Sequence, residues 1–146
     1  MPTPFSTPLT IHLFSFSYRN GGIPHDEGGH GGGFVFDCRA LPNPHWDEAL
    51  RPHTGLEAPV RGFLEAQPEV TTFLEHVAGL VLASAATYTR LERERLMVSF
   101  GCTGGKHRSV YTASRMAEAL QAAGYRVVTR HLGLEAAGTA PEAGGT

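Results

Sequence analysis

Residues 96–110 read LMVSFGCTGGKHRSV, and this pattern predicts a strand, a glycine-rich loop and the start of a helix. The apolar run at residues 96–100 has the length of a buried strand. An inner stripe at helical spacing follows the loop: Val110, Ala113, Ala117 and Leu120. The helix is predicted to end at Gly124, and residues 125–131 are predicted to form the next strand. The segment is therefore a predicted βαβ unit with parallel strands and a right-handed crossover.

The elements upstream fit the same class of fold. Residues 9–17, LTIHLFSFS, place apolar side chains on both faces, which is typical of a central strand in an α/β sheet. Residues 34–39 predict a further strand, and an amphipathic helix is predicted from Pro68 to about Glu94. We therefore predict one α/β domain over residues 1–134, with a mostly parallel sheet and helices on its faces. A flexible tail is predicted at residues 135–146.

Three other segments lack a regular pattern. Residues 19–33 contain seven glycines and one proline, which is typical of a functional or mobile loop. Residues 41–46, LPNPHW, contain two prolines that predict an extended turn and exclude a helix, with Trp46 as a packing anchor. The chain from Gly133 onward is predicted to be frayed.

Composition limits the classes of function. The net charge of −2 and the pI of about 6.4 give no general positive field for nucleic acid. No signal peptide is visible and no stretch approaches the roughly 20 apolar residues of a membrane span, so we expect a cytoplasmic protein without a membrane partner. Cys38 and Cys102 are expected to be reduced thiols, with Cys38 in the core.

The glycine-rich loop at residues 101–109 predicts an anion site. In an open α/β sheet, ligands bind beyond the carboxyl ends of the strands, where this loop must lie. Its glycines allow close approach of the backbone, the new helix supplies unpaired N–H groups, and Lys106 is the only lysine in the chain. The residues expected to hold a phosphate are Thr103, Gly104, Gly105, Lys106, His107, Arg108 and Ser109. The spacing differs from that of the nucleotide-binding P-loop, so ATP hydrolysis is not predicted.

Two alternatives remain open for this loop. It is similar to cysteine-dependent phosphatases in the spacing Cys-x5-Arg-Ser, with Cys102 as nucleophile and Arg108 holding the phosphate. The acid would be Asp37, Asp47 or His107, among which sequence position does not choose. The other alternative is an ordinary strand-to-helix turn. Asp37 itself either orients a ligand or pairs with a neighbouring arginine.

The residues of the loop at 19–33 offer a metal-binding alternative. His25, Asp26, Glu27 and His30 have suitable donors, but their spacing matches no rigid metal site. We interpret them as polar residues of a surface loop and predict no metal or cofactor. Asp26 is a further candidate for contact with a sugar amine.

Two long runs carry a family resemblance. Residues 101–110, GCTGGKHRSV, and residues 35–46, VFDCRALPNPHW, strongly resemble the C-terminal domain of the RapZ family of RNase adapter proteins. The likeness continues through LRP at 50–52 and TGL at 54–56, and covers roughly residues 9–134. The resemblance implies that the phosphate loop lines a phosphosugar pocket, and that four further residues lie nearby: Asp37, Arg39, Asn43 and His45.

The resemblance also implies a function. RapZ-like proteins have an N-terminal P-loop domain, followed by a C-terminal domain that senses glucosamine-6-phosphate and binds small RNAs. This chain is expected to be a free-standing C-terminal domain that senses a phosphorylated amino sugar without catalysis, and self-association is also implied. RNA-binding members carry a basic tail, whereas no Lys or Arg follows Arg130 here, so we expect weak RNA affinity or none.

Overall fold

The computed structural model describes residues 8–138, which form four parallel strands and four α-helices. The strands are β1 (Thr10–Ser17), β2 (Phe34–Asp37), β3 (Arg95–Cys102) and β4 (Arg126–His131). The helices are α1 (Ala58–Glu65), α2 (Pro68–Arg90), α3 (Arg108–Ala122) and α4 (Leu132–Ala136), and a 3-10 helix spans Pro44–Trp46. The predicted α/β class and the parallel βαβ unit are confirmed.

The strand order is β2-β3-β1-β4, with every neighbouring pair parallel. The predicted central strand is therefore central, since β1 pairs with both β3 and β4. It lies between the two strands that α3 connects. The register pairs Ser17 with Cys102, Asp37 with Gly101 and Ser15 with His131. These pairs bring the carboxyl ends of all four strands to one edge.

The main core lies between the sheet and helices α1, α2 and α3. Alternate residues of β1 and β3, such as Ile11, Leu13, Val98 and Phe100, are fully buried there. The helices contribute buried residues at helical spacing, which include Val60, Leu64, Val77, Val81, Met116 and Leu120. Burial of this apolar surface is the main source of stability. Packing of this core thus fixes the position of the carboxyl edge of the sheet.

Helix α1 was not predicted from the sequence, and two predictions for short segments are wrong. Pro44 does not prevent a helix, because proline is tolerated in a first helical turn and here opens the 3-10 helix Pro44–Trp46. Gly133 does not begin a frayed segment, because α4 follows β4 directly and Leu134 is buried. The tail predicted at residues 135–146 stays a prediction, and its residues 139–146 lie outside the described residues.

Helix α2 is long and apolar. It has 23 residues, and its best 18-residue window has a mean hydropathy of 1.3 with 22% of the window buried. By length and composition alone, such a helix can cross a membrane, which corrects the expectation that no stretch approaches a span. One such helix is weak evidence, because a core helix passes the same test. Val70, Val77 and Val81 of α2 pack into the core described above.

The segment at residues 19–33 connects the carboxyl end of β1 to the amino end of β2 and is organised by Asp26. The Asp26 carboxylate accepts hydrogen bonds from the backbone N–H groups of Gly28 (2.9 Å), His30 (3.1 Å) and Gly32 (3.2 Å). It also accepts one from Nε of Arg95 at 2.8 Å, and its side chain is only 2% exposed. These contacts lower the pKa of Asp26 against the effect of desolvation. The segment is therefore a structured crossover.

This arrangement corrects the hypothesis that Asp26 contacts a sugar amine. Arg95 begins β3, and Cys102 ends it seven residues later, which is about 23 Å along a strand. Asp26 consequently lies at the opposite end of the sheet from the predicted phosphate loop and does not reach a sugar amine there. Within residues 8–138, no group of three or more His, Cys, Asp or Glu side chains is placed to hold a metal.

Candidate functional site

The loop between β3 and α3 lies at the carboxyl edge of the sheet, as predicted. Ser17 at the end of β1 donates a hydrogen bond from its hydroxyl to the carbonyl of Thr103 at 2.6 Å. On the other side, the N–H of Gly55 donates to the carbonyl of Lys106 at 2.9 Å. The loop is therefore held at both ends of its arc by neighbouring segments.

Gly105 shows why the loop requires glycine. Its φ of +65° is in the left-handed region, and a Cβ there would lie 2.9 Å from the backbone nitrogen of Ser17. Gly133 of α4 packs against the other side of Gly105, where a Cβ on Gly133 would lie 3.0 Å from the Gly105 Cα. Gly105 thus fixes the backbone path of the loop.

The loop contains a run of backbone N–H groups that lack an acceptor among the described residues. Among the described residues, the N–H groups of residues 104–108 donate to no protein acceptor outside regular secondary structure. Helix α3 begins at Arg108 without a side-chain cap. The first N–H groups of a helix carry partial positive charge and attract anions. The loop therefore presents a row of donors where an anion was predicted.

Arg108 both binds neighbouring backbone carbonyls and lines the cleft. The side chain is 6% exposed, and Nη1 donates to the carbonyls of Arg39 (2.8 Å) and Leu41 (3.0 Å). Nε is buried and has no hydrogen-bond partner among the described residues, and Nη2 forms no hydrogen bond with them. The Nε and Nη2 edge is the edge that binds two oxygens of a phosphate or carboxylate at once. This edge is open.

A cleft of about 410 Å³ lies over the loop. Four cationic side chains line it, and no Asp or Glu does: the cations are Arg19, Arg51, Lys106 and Arg108. Lys106 is oriented by a hydrogen bond from Nζ to the carbonyl of Arg51 at 2.8 Å. The same cleft includes Asn43, His45, Thr103 and Gly104. Charges of one sign in a concave site raise the local concentration of anions.

His107 lies deep in the cleft. It is 6% exposed, and its Nε2 has no hydrogen-bond partner among the described residues. Burial lowers the pKa of His107, and the charge of Lys106 acts in the same direction. The neutral imidazole is thereby favoured, while hydrogen bonding to the backbone of His53 and Arg51 opposes the shift in pKa.

Cys102 lies below the loop and is 2% exposed. Its Sγ is 3.1 Å from the hydroxyl of Ser109 and accepts a hydrogen bond from the Ser109 N–H at 3.4 Å. Ser109 is itself fully buried, and its side chain contacts the thiol of Cys102 and does not line the cleft. Cys38 is buried as predicted, and burial raises its pKa to about 12.

Asp37 and Arg39 form an ion pair beside the cleft. The Arg39 guanidinium donates to both Asp37 oxygens, with the shortest contact at 2.8 Å, and also covers the ring of Tyr18. The hydrogen bonds from Arg39 lower the pKa of Asp37. Of the two alternatives for Asp37, the structure shows pairing with an arginine. Both side chains are about half exposed and neither lines the cleft over the loop.

Sequence reasoning missed Arg19 and Arg51 and misjudged Trp46. Arg19 follows the end of β1, so its place at the carboxyl edge was available from the rule for parallel strands. Arg51 does not follow a strand, so the sequence did not indicate that it lies at this edge. Trp46 is not a packing anchor, because it is 81% exposed and stands at the rim of the cleft.

The fold and the cleft together define a single α/β domain with a cationic site at the carboxyl edge of a parallel sheet. The chain matches the family described as the RapZ C-terminal domain over residues 9–135. It therefore belongs to this family, as the resemblance predicted.

Curated relatives support the same assignment. The chain is 42% identical over 127 residues to a nucleotide-binding protein of Glaesserella parasuis, which covers 87% of this chain and 42% of the relative. It is 43% identical over 127 residues to the RNase adapter protein RapZ of Yersinia enterocolitica, which covers 87% of this chain and 43% of the relative. The chain thus spans about two fifths of the length of these relatives.

Proposed function

We propose that this domain binds a phosphorylated sugar similar to glucosamine-6-phosphate in the cleft over residues 101–109 and serves as its sensor. One observation carries the proposal: the buried Arg108 lines this cleft beside unpaired N–H groups, and the Nε and Nη2 edge of its guanidinium has no hydrogen-bond partner among the described residues. A buried donor without a partner is costly unless a ligand or water satisfies it. A phosphate group supplies the required acceptors.

The charge and size of the cleft support the same ligand class. The four cations and the absence of carboxylates among the lining residues favour an anion. The volume of about 410 Å³ suits a small molecule and exceeds what a phosphate alone would fill. The sugar portion of the proposed ligand is what the resemblance to RapZ-like proteins implies.

Thermal unfolding tests the proposal. Glucosamine-6-phosphate is expected to raise stability by about 2.7 kcal/mol at a hundredfold excess over its dissociation constant, because it binds only the folded state. Lys106→Gln removes one cation and is expected to abolish most of this shift. Inorganic phosphate, glucosamine and ATP are the comparison ligands, and only phosphate is expected to give a smaller shift of the same kind.

Arg93→Gln is the matched control, because Arg93 precedes the amino end of β3 and packs on Tyr88 far from the cleft. It removes one positive charge without touching the site. An equal loss of the ligand-induced stabilisation in both variants would show that net charge, and not the cleft, causes the effect. If none of the ligands shifts the unfolding temperature of the wild-type protein, the proposal is wrong.

A cysteine-dependent phosphatase is the second candidate, favoured by the contacts of Cys102. Cys102 lines the cleft, and its Sγ lies 3.1 Å from the Ser109 hydroxyl and accepts the Ser109 N–H at 3.4 Å. Asp37 is held by Arg39, so the structure offers no free carboxyl among the lining residues to protonate a leaving group. We therefore expect wild-type protein to hydrolyse para-nitrophenyl phosphate no faster than Cys102→Ser. Turnover that disappears in this variant would favour the enzyme instead.

Adapter function is a third candidate, taken from the name of the Yersinia relative. It would require RNA or protein partners, and the cationic cleft is the surface that suits RNA best. The net charge of −2 argues for weak and strongly salt-dependent RNA affinity. Self-association and a cytoplasmic location stay predictions.

A further inference from the structure

Trp46 is exposed to an unusual degree. It is the only tryptophan of the chain, and at 81% its exposure exceeds that of every other large hydrophobic side chain described. The next most exposed, Ile23 and Leu80, reach 55%. A ring of this size left in water costs hydrophobic stabilisation that burial would supply. Its position therefore calls for a role other than packing within the domain.

The backbone that carries Trp46 is well fixed. Pro44 opens the 3-10 helix, and Oδ1 of Asn43 accepts the N–H of His45 at 3.0 Å. The N–H of Trp46 donates to the carbonyl of Asn43 at 3.3 Å. Nε of Arg51 donates to the carbonyl of His45 at 2.9 Å. The ring is thus exposed on a pre-organised turn, which lowers the entropy lost when a ligand contacts it.

Trp46 stands between two clefts. It lines the cationic cleft over residues 101–109 and also a neighbouring cleft of about 660 Å³. The neighbouring cleft has apolar walls of Leu41, Pro42 and Phe63. Asn43, Trp46, Thr103 and Arg108 belong to both clefts. The indole therefore stands beside the proposed phosphate position, where the organic part of a bound phosphate ester would lie.

We propose that the indole of Trp46 is the surface on which the sugar ring of the bound phosphosugar packs, and that this contact selects a cyclic sugar phosphate over free phosphate. This inference rests on the proposed function. One face of a pyranose presents C–H groups, which cover an aromatic ring and exclude water from it. The cations and N–H groups around Arg108 bind the phosphate, and Trp46 recognises the ring attached to it.

Intrinsic fluorescence and calorimetry test the inference. Because Trp46 is the only tryptophan, its emission is expected to change with glucosamine-6-phosphate and to stay nearly constant with inorganic phosphate. In calorimetry, Trp46→Ala is expected to weaken glucosamine-6-phosphate binding roughly tenfold, in line with the loss of part of an aromatic contact. Inorganic phosphate binding is expected to stay within about twofold of wild type, since its affinity comes from charge.

Two further variants separate recognition from structure. Trp46→Phe keeps an aromatic face and is expected to restore most of the lost affinity. Leu80→Ala removes an exposed hydrophobic side chain from α2, away from the cleft, and is expected to change neither ligand's affinity. Sorbitol-6-phosphate has the same phosphate and no ring, and its affinity is expected to be insensitive to Trp46→Ala.

The outcomes distinguish this inference from the proposed function. If the wild-type protein binds phosphate and glucosamine-6-phosphate equally well, the role of Trp46 is refuted while the anion site stands. The role of Trp46 is also refuted if Trp46→Ala weakens the binding of both ligands equally or the binding of neither. If the wild-type protein binds no phosphate compound at all, the proposed function fails and this inference fails with it.

Discussion

Replacing Arg108 with alanine is expected to lower the free energy of unfolding by about 3 kcal/mol and to abolish anion binding. The variant leaves the carbonyls of Arg39 and Leu41 without their donor, and each buried acceptor left unpaired costs about 1–3 kcal/mol. Loss of the buried aliphatic stem adds to this. Urea denaturation measures the stability, and calorimetry with inorganic phosphate measures the binding.

Arg39→Ala is the matched control for this prediction. It also removes an arginine near the cleft, but its guanidinium and the paired Asp37 are 48% and 47% exposed. Exposed ion pairs contribute about 0–1 kcal/mol, and the backbone carbonyl that Arg108 holds is unchanged in this variant. An Arg108→Ala protein no less stable than Arg39→Ala would contradict the structural role assigned to Arg108.

Stability is expected to fall by about 3 kcal/mol as the pH drops from about 6.5 to about 4, because of His131. His131 is 3% exposed, and burial lowers its pKa to about 4. Its Nδ1 is 2.6 Å from the hydroxyl of Ser15. Between these two pH values the unfolded chain binds a proton that the folded chain does not, so folding becomes less favourable. Above about 6.5 this contribution is fully present.

Urea denaturation from pH 7 to pH 4.5 measures the effect, with His131→Gln for comparison. Glutamine retains a hydrogen-bond partner for Ser15 but does not titrate, so the variant should lose less stability on acidification. His12 and His107 also have lowered pKa values and act in the same direction in both proteins. The lowered pKa values of Asp26 and Glu135 act below about pH 4. Identical pH profiles for both proteins would show that His131 is not the cause.

The position of the candidate site was predictable in part, and the part with the clearest sequence signal is the loop. Residues 101–109 combine a strand end, glycines, two cations and a helix start within nine neighbouring positions, so local sequence carries the signal. The contributions of Arg19 and Arg51 come from other segments and depend on the strand order. Arg108 binds two backbone carbonyls and also lines the cleft, and both contacts depend on the path of the chain after β2. No local pattern contains that information.

Asp26 shows a different kind of error. The sequence offered metal binding and contact with a sugar amine as alternatives for it, because His, Asp and Gly are also the residues of binding sites. Only the hydrogen bond from Arg95, 69 residues away, showed that the carboxylate stabilises the crossover segment. A local motif does not reveal which acceptor a distant donor will use.

Sequence alone determined the α/β class, the βαβ unit and the loop, because apolar periodicity and turn chemistry act over a few neighbouring residues. Tertiary structure alone decided the strand order, the outward position of Trp46 and the charges that share the cleft. It also decided that α1 and α4 form, since short helices are marginal without packing. Such features arise from contacts between segments far apart in the chain, and their energies exist only once those segments are brought together.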